Sequence, residues 1–271
     1  MAECIVVTSG KGGVGKTTTS ANLAAGLALA GKKVAVVDAD IGLRNLDVIL
    51  GLENRIVYDL VQVIEGECRL KQALIRDKRV EGLFLLPAAQ TRDKTAVRPD
   101  DMRRLVGELK EDHDFVIIDC PAGIEQGFKN SIAGADRALI VTTPEVSAIR
   151  DADRIIGLVE ANDLPEPQLI INRYRPGMVS RGDMMNRDDI LEILAIPLIG
   201  IVPDHPDIIV SANRGQPVVF DEKSIVGQAY RRITDRVAGI DVPFPSFDTD
   251  PGLWAMVRRW MGLSTAAREA V

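Results

Sequence analysis

Gly10-Lys11-Gly12-Gly13-Val14-Gly15-Lys16-Thr17 decides how this chain folds. It follows an apolar run, Cys4-Ile5-Val6-Val7-Thr8, and precedes an Ala/Leu-rich stretch that reads as a helix. The pattern is G-x-x-x-x-G-K-[ST], a P-loop, in the strand–loop–helix setting that this motif requires. Gly12, Gly13 and Gly15 let backbone N–H groups, with those of Val14 and Thr18, close around phosphate oxygens. Lys16 is expected to reach the β- and γ-phosphates, and the Thr17 hydroxyl to ligate Mg²⁺. A helix opening at Lys16 adds the positive end of its dipole to the anion site. The second lysine, Lys11, is not needed by a phosphate cradle and calls for its own explanation.

Outward from the loop, apolar β-branched runs alternate with helical patterns. Strands are expected at 4–8, 33–38, 83–87, 115–119, 138–142, 168–172 and 198–202, and helices at 17–30, 102–110, 147–161 and 187–194. Continuously apolar strands separated by helices predict an α/β fold, a mostly parallel twisted sheet with helices on both faces. The chain has 271 residues, enough for one large domain with a substantial core. A net charge of −6 argues against a dedicated nucleic-acid binder. The three cysteines, Cys4, Cys68 and Cys120, lack C-x-x-C spacing, so a reduced cytoplasmic setting without structural zinc is expected. The N-terminus does not read as a signal peptide. No segment approaches the roughly 20 apolar residues of a spanning helix. His113 and His205 share no ligand spacing and read as surface or loop residues. Cys120 reads as a small buried residue. The basic stretch 69–79 reads as a solvated helix face.

Two further motifs fit the loop. Phe115-Val116-Ile117-Ile118-Asp119 is an apolar strand ending in acid, whose carboxylate can hold Mg²⁺ through water opposite Thr17. Gly123, in the following turn, can present an N–H to the γ-phosphate. Val36-Val37-Asp38-Ala39-Asp40 is a second strand ending in acid, with Asp38 and Asp40 placed on one face by period two. Carboxylates there can orient a water and contact the metal's hydration shell, because ligands in such folds bind at the carboxyl ends of strands. Asn172 ends the run Ile170-Ile171-Asn172. Its amide suits an adenine edge, and equally suits a strand-end turn.

Lys11-Gly12-Gly13-Val14-Gly15-Lys16-Thr17-Thr18 resembles the deviant Walker A motif of the ParA/MinD family of ATPases. Asp38-Ala39-Asp40-Ile41-Gly42-Leu43-Arg44-Asn45-Leu46-Asp47, Pro87-Ala88-Ala89-Gln90-Thr91-Arg92-Asp93-Lys94 and Asp119-Cys120-Pro121-Ala122-Gly123-Ile124-Glu125 are similar to its septum-site-determining branch. The likeness runs from the N-terminus to about residue 240. It implies a homodimer around two ATP molecules, in which Lys11 reaches the partner's nucleotide. It also implies a water-positioning catalytic role for Asp40 beside Lys11 and Lys16, and Mg²⁺-linked roles for Asp38 and Asp119. Asn172, Pro203 and Asp204 would hold the base. A MinC-like division inhibitor would be recruited, and a MinE-like activator or polar scaffold would speed a slow hydrolysis.

The remaining signal is the tail. Pro243, Pro245 and Pro251, with Asp248 and Asp250, mark 243–250 as a linker after an ATPase domain at 1–242. In 251–263, at about 100° per residue, Leu253, Trp254, Met256, Val257, Trp260 and Met261 share one half of a helix, and Arg258 and Arg259 the other. Both tryptophans of the chain lie here. An amphipathic helix of this kind packs on a domain core or lies in the plane of an anionic membrane; the Pro-rich acidic linker and the bulk of the apolar face favour the membrane, so reversible attachment to the inner face of the cell membrane is expected. Eight residues, 264–271, follow it. The competing readings are a ParA-like DNA-partitioning ATPase, an ATP-locked scaffold without functional hydrolysis, and a metal-cluster carrier. The acidic charge, the Trp-rich tail and the absence of paired cysteines weigh against the first and last.

Overall fold

The computed structural model describes residues 2–93, 96–164 and 166–245. Its strands are β1 (Glu3–Thr8), β2 (Val34–Asp38), β3 (Ile75–Arg76), β4 (Leu83–Leu86), β5 (Phe115–Asp119), β6 (Arg137–Thr142), β7 (Gln168–Tyr174) and β8 (Leu198–Pro203). Its helices are α1 (Lys16–Leu29), α2 (Leu46–Ile49), α3 (Leu60–Ile64), α4 (Leu70–Ala73), α5 (Pro99–Asp112), α6 (Gln126–Ile132), α7 (Val146–Glu160), α8 (Pro176–Val179), α9 (Arg187–Leu194), α10 (Asp207–Asn213) and α11 (Ile225–Val237). The eight strands form one sheet in the order β3-β4-β2-β5-β1-β6-β7-β8. Every pairing is parallel except β3 with β4.

Strand periodicity sorts the core into two layers. Val34 and Val36 of β2 face Leu23 and Leu27 of α1 and Tyr230 and Ile233 of α11. Ala35 and Val37 face the other way, toward Leu105 and Leu109 of α5 and Phe128 of α6. Both faces of the central strands are therefore apolar, as the uninterrupted hydrophobic runs require. The expected fold class is the observed one. Its consequence for function is that β1, β2 and β5 lie side by side and end at the same edge.

Three expectations change. First, β3 is a two-residue antiparallel edge strand, too short to leave a periodic signal. Second, the stretch 69–79 is not one basic helix face. It contains α4, β3 and a turn in which Arg79 wraps the buried Asp77 (Nη2 to Oδ2 2.5 Å) and donates to the Leu50 and Gly215 carbonyls. The Arg79 guanidinium holds the Asp77 carboxyl below its ordinary value against the effect of burial. Third, His113 is buried: its Nδ1 lies 2.8 Å from the Leu109 carbonyl and its ring meets Phe84 edge-on at 5.3 Å. Burial moves its pKa down, so it caps α5 as a neutral ring. Cys120 is buried as expected, its thiol pushed up to about 11 by burial.

The last described residues run back along α11. Arg236 bonds the carbonyls of Val242 and Pro243 (both 2.9 Å) and of Ile199 in the edge strand β8 (2.9 Å), and stacks on Phe244. Residues 246–271 lie outside the described residues, and with them most of the expected linker, the amphipathic helix and the tail. Among the described residues, no helix is long and apolar enough to cross a membrane.

α1 and α11 approach closely at Gly26, where a methyl group would overlap the Thr234 side chain. Gly26→Leu is expected to destabilise the domain by about 1–3 kcal/mol through overpacking. A urea unfolding curve reads this directly. An unchanged midpoint would mean that the two helices are not packed this way.

Candidate functional site

The loop between β1 and α1 crosses the carboxyl ends of the central strands. Gly15 occupies the N-cap of α1 with φ 101°, a left-handed conformation open to glycine at little cost. A side chain there would also run into the Asn172 amide. Lys16, the first helical residue, is buried, and its Nζ donates to Ser9 Oγ at 3.0 Å. The Ser9 hydroxyl donates to the Lys11 carbonyl at 2.8 Å, so the lysine and the loop backbone fix one another. Thr17 and Thr18 are half-buried at the helix start.

Asp38 and Asp119 end β2 and β5 as direct register partners, each 1% exposed. Asp119 accepts from the Ser20 hydroxyl at 2.9 Å and from the Thr17 hydroxyl. Asp38 accepts from the backbone N–H of Asp40 (3.0 Å) and of Leu46 (3.3 Å). It thereby ties down the segment that leads into α2. β2 stops at Asp38, so the common strand face expected for Asp38 and Asp40 does not exist. Asp40 is placed instead by its N–H turning back onto Asp38. Burial and the facing Asp119 push the Asp38 carboxyl upward; burial does the same to Asp119, against the Thr17 and Ser20 hydroxyls and Lys16.

This donor set fits Mg²⁺. The ion takes oxygen ligands, commonly one or two carboxylates together with substrate phosphates and water. Thr17, Asp38 and Asp119 offer hard oxygens beside the loop. Among the described residues no group of three or more His, Cys, Asp or Glu is arranged for a metal. Gly123, with φ 93°, lies in the turn after β5.

Lys11 points away from this centre. Its Nζ lies 3.3 Å from Glu145 Oε2 and 3.1 Å from Ser147 Oγ, at the start of α7. Both partners are exposed (43% and 56% for the ion pair), so the contact contributes only about 0–1 kcal/mol. A stronger electrostatic partner can displace it.

Asn172 is buried, and lies two residues before the end of β7 rather than at a strand-end turn. Its Nδ2 donates to the Val14 carbonyl at 2.7 Å, and its Oδ1 accepts from Arg173 N at 2.9 Å. In this arrangement the amide props the phosphate loop. Pro203 ends β8, and Asp204 pairs with Arg175 (Nε to Oδ2 2.5 Å). The phosphate residues and the residues expected at the base are thus joined through one contact, Asn172 to Val14. Leu253, Trp254, Met256, Val257, Arg258, Arg259, Trp260 and Met261 lie outside the described residues.

Pro144-Glu145-Val146-Ser147 is also similar to the family, but no role follows from the sequence for Glu145 and Ser147, nor for Ser9 and Ser20. Ser20 carries a local signal, since it falls one helical turn after Thr17 on the same face. Glu145 carries none, because 134 residues separate it from Lys11.

Residues 5–218 match the CobQ/CobB/MinD/ParA nucleotide binding domain family. The septum site-determining protein MinD of Bacillus subtilis is 54% identical over 266 residues, covering 97% of this chain and 99% of that protein. The MinC:MinD cell division protein complex of Aquifex aeolicus contains a chain of 48% identity with a TM-score of 0.84, covering 90% of this chain and 98% of that one. The septum site-determining protein MinD of Pyrococcus horikoshii, solved with Mg-ADP, is 29% identical with a TM-score of 0.79, covering 88% of this chain and 96% of that one.

The facing carboxylates make stability depend on pH in a defined direction. The folded state keeps a proton at Asp38 that the unfolded chain loses above the ordinary carboxylate value. Between that value, 3.8, and about 8 the folded form binds more protons, so stability falls as pH rises. In nucleotide-free protein with a chelator, the urea midpoint is expected to drop from pH 5.5 to pH 8, by roughly 1–3 kcal/mol of unfolding free energy. Asp38→Asn removes most of that slope. An equal slope in the variant contradicts this assignment.

Proposed function

The chain belongs to the CobQ/CobB/MinD/ParA family of nucleotide-binding domains, in its septum-site-determining MinD branch, and on that premise we propose that it is an ATP-driven switch on the membrane. It converts ATP and water to ADP and phosphate, slowly alone and faster with a partner. The observation that carries the chemistry is the row of strand ends: Asp119 and Asp38 side by side, the Thr17 hydroxyl on Asp119, and the Lys16 ammonium beside them.

In this reading the loop backbone from Gly12 to Thr18 holds the phosphates and Lys16 neutralises the β- and γ-oxygens. Thr17 supplies a ligand to Mg²⁺, with Asp38 and Asp119 as its carboxylate partners. Held by Thr17, Asp38 and Asp119, Mg²⁺ would supply positive charge against the charge that develops on the phosphates. Asp40 orients the attacking water from the segment that Asp38 tethers. Gly123 offers an N–H to the γ-phosphate and moves when that group leaves. Asn172, Pro203 and Asp204 border the base.

Lys11 makes the switch depend on pairing. Its contact with Glu145 and Ser147 is weak and exposed, whereas a triphosphate on a second copy offers several negative charges in a drier setting. Two chains then hold two ATP molecules between them. Each copy carries a membrane segment in 251–263, joined through 243–250 to the ATPase domain at 1–242, with 264–271 trailing. A short amphipathic helix is marginal in water and binds lipid weakly alone. Two on one dimer gain avidity of roughly 10²–10⁴. ATP therefore sets residence on the inner face of the cell membrane, and hydrolysis ends it. Recruitment of a MinC-like division inhibitor is supported by the related Aquifex aeolicus chain in its complex with MinC. Release is assigned to a MinE-like activator or a polar scaffold.

Sedimentation with anionic liposomes tests the switch. The full chain is expected to pellet with ATP and to stay in solution with ADP, and a chain truncated after Asp250 to stay in solution with both. Equal pelleting in all four tubes contradicts the proposal. Asp40→Ala is expected to cut phosphate release by about 10²-fold or more while the ATP-dependent pelleting persists. Wild-type phosphate release in that variant would remove Asp40 from the reaction.

A further inference from the structure

Two sides of α1 are held, and only one of them borders the strand ends. At about 100° per residue, Lys16, Ser20, Leu23 and Leu27 share the face toward the sheet, where the Ser20 hydroxyl reaches Asp119. Thr19, Asn22 and Gly26 share a second face, about a quarter turn away, toward α11 and the short helical turn Val218–Phe220.

The second face is polar at a place where apolar side chains alone could pack. Thr19 Oγ1 lies 3.3 Å from the Tyr230 hydroxyl. Asn22 is engaged at both ends: its Nδ2 donates to the Thr18 carbonyl at 2.8 Å, and its Oδ1 accepts from the Val219 N–H at 2.9 Å. Gly26 makes room for Thr234, whose hydroxyl donates to the Tyr230 carbonyl at 2.9 Å. Thr19, Asn22, Tyr230 and Thr234 are all buried. Burial pushes the Tyr230 phenol up to about 12, although the Thr19 hydroxyl lowers it, so the phenol keeps its proton for this contact. Buried polar groups cost free energy unless paired, and once paired they fix one geometry where apolar surfaces accept several. Here they fix the rotation of α1 about its axis and its height against α11.

We propose that Asn22 and Tyr230 are positioning residues for the phosphate loop, holding α1 at the rotation at which its first turn meets a Mg²⁺-bound nucleotide. Both lie behind the loop rather than in it. Asn22 acts through Thr18, whose N–H belongs to the loop, and Tyr230 through Thr19, whose N–H is bonded to the Gly15 carbonyl at 2.9 Å. The neighbouring Thr17 hydroxyl meets Asp119. Side-chain atoms lie about 5–6 Å from a helix axis, so a rotation of about 20° displaces them by roughly 2 Å. Mg²⁺ demands near-ideal octahedral geometry at about 2.0–2.1 Å and does not follow such a shift. The two holds are independent, one from a turn and one from α11, and they act on consecutive residues of the helix that the loop opens. The role rests on the proposed nucleotide chemistry of the loop.

The dissociation constant of ADP for the full chain, measured with magnesium and again with a chelator, isolates this effect, because the ratio of the two cancels contacts that do not depend on the ion. Calorimetric titration gives both values. Asn22→Leu is expected to lower the gain from magnesium on the order of tenfold, as loss of a support behind a metal ligand does, and Tyr230→Phe to lower it by less. Tyr230→Phe removes one oxygen only, so it carries the test by itself if Asn22→Leu does not fold. Thr19→Val is expected to match Tyr230→Phe, and the double variant to lose no more than either, because the two act through one bond. Val237→Ala, a core truncation at the far end of α11, is expected to lower the urea midpoint and leave the ratio unchanged. A wild-type ratio in Asn22→Leu and Tyr230→Phe overturns the positioning role, and so does a ratio in Val237→Ala that falls with theirs. A Thr19→Val/Tyr230→Phe chain that loses the sum of the two single losses overturns the action of Tyr230 through Thr19. If the wild type gains nothing from magnesium, the proposed chemistry of the loop fails and the positioning role with it.

Discussion

Asp38 and Asp119 face each other at the ends of neighbouring strands, out of water. Two carboxylates this close in a poorly polarisable place cannot both ionise without help. What surrounds them supplies part of it: the Thr17 and Ser20 hydroxyls on Asp119, two backbone N–H groups on Asp38, and the buried Lys16 ammonium nearby. The remainder is the electrostatic case for a divalent cation at this position. The sheet order brings the pair together, since β5 lies between β1 and β2 and places a strand-end acid against another beside the phosphate loop. A folded domain tolerates such a conflict where it serves binding.

From that centre the rest of the site follows by attachment. Asp38 holds the N–H groups of Asp40 and Leu46, so whatever neutralises Asp38 also acts on the segment between them. Arg44 in that segment adopts a left-handed backbone (φ 41°) and pairs with the buried Asp47 at 2.8 Å, a strained conformation kept by its surroundings. Asn172 braces the loop from the side of β7. Lys11 alone among the loop's charged groups is turned outward, on a contact weak enough to exchange. On the proposed reading, that asymmetry separates binding of ATP, which Lys16 serves within one chain, from pairing of two chains, which Lys11 serves.

The fold was legible because its signals are local. The runs that became β1, β2 and β5 are apolar without a break, and the glycine pattern follows the first of them directly. Lys16, Thr17 and Asp119 were legible for the same reason. Features set by distant partners were not. His113 looks like a surface residue until Phe84 and Leu109 enclose it. Arg79 sits in a basic stretch, yet its work is to hold the buried Asp77 and two distant carbonyls. Asn172 suits a base edge or a turn by its type alone, and nothing local announces that its amide also donates to the Val14 carbonyl, 158 residues away. Each of these depends on a contact between segments, for which composition and spacing carry no trace. The likeness to known septum-site proteins names the family of the chain, but the rest positions of Lys11 and Asn172 come from the geometry.

The central claim is that the triphosphate joins two chains through Lys11. Sedimentation velocity of the Asp40→Ala chain, which the proposed role of Asp40 expects to hold ATP without hydrolysing it, measures this most directly when run with ATP and magnesium beside the Lys11→Ala/Asp40→Ala double variant. The account predicts twice the chain mass for the single variant and the chain mass for the double variant, with ATP still bound to both. A single variant that stays monomeric with ATP bound, or a double variant that dimerises as well as the single one, would contradict it.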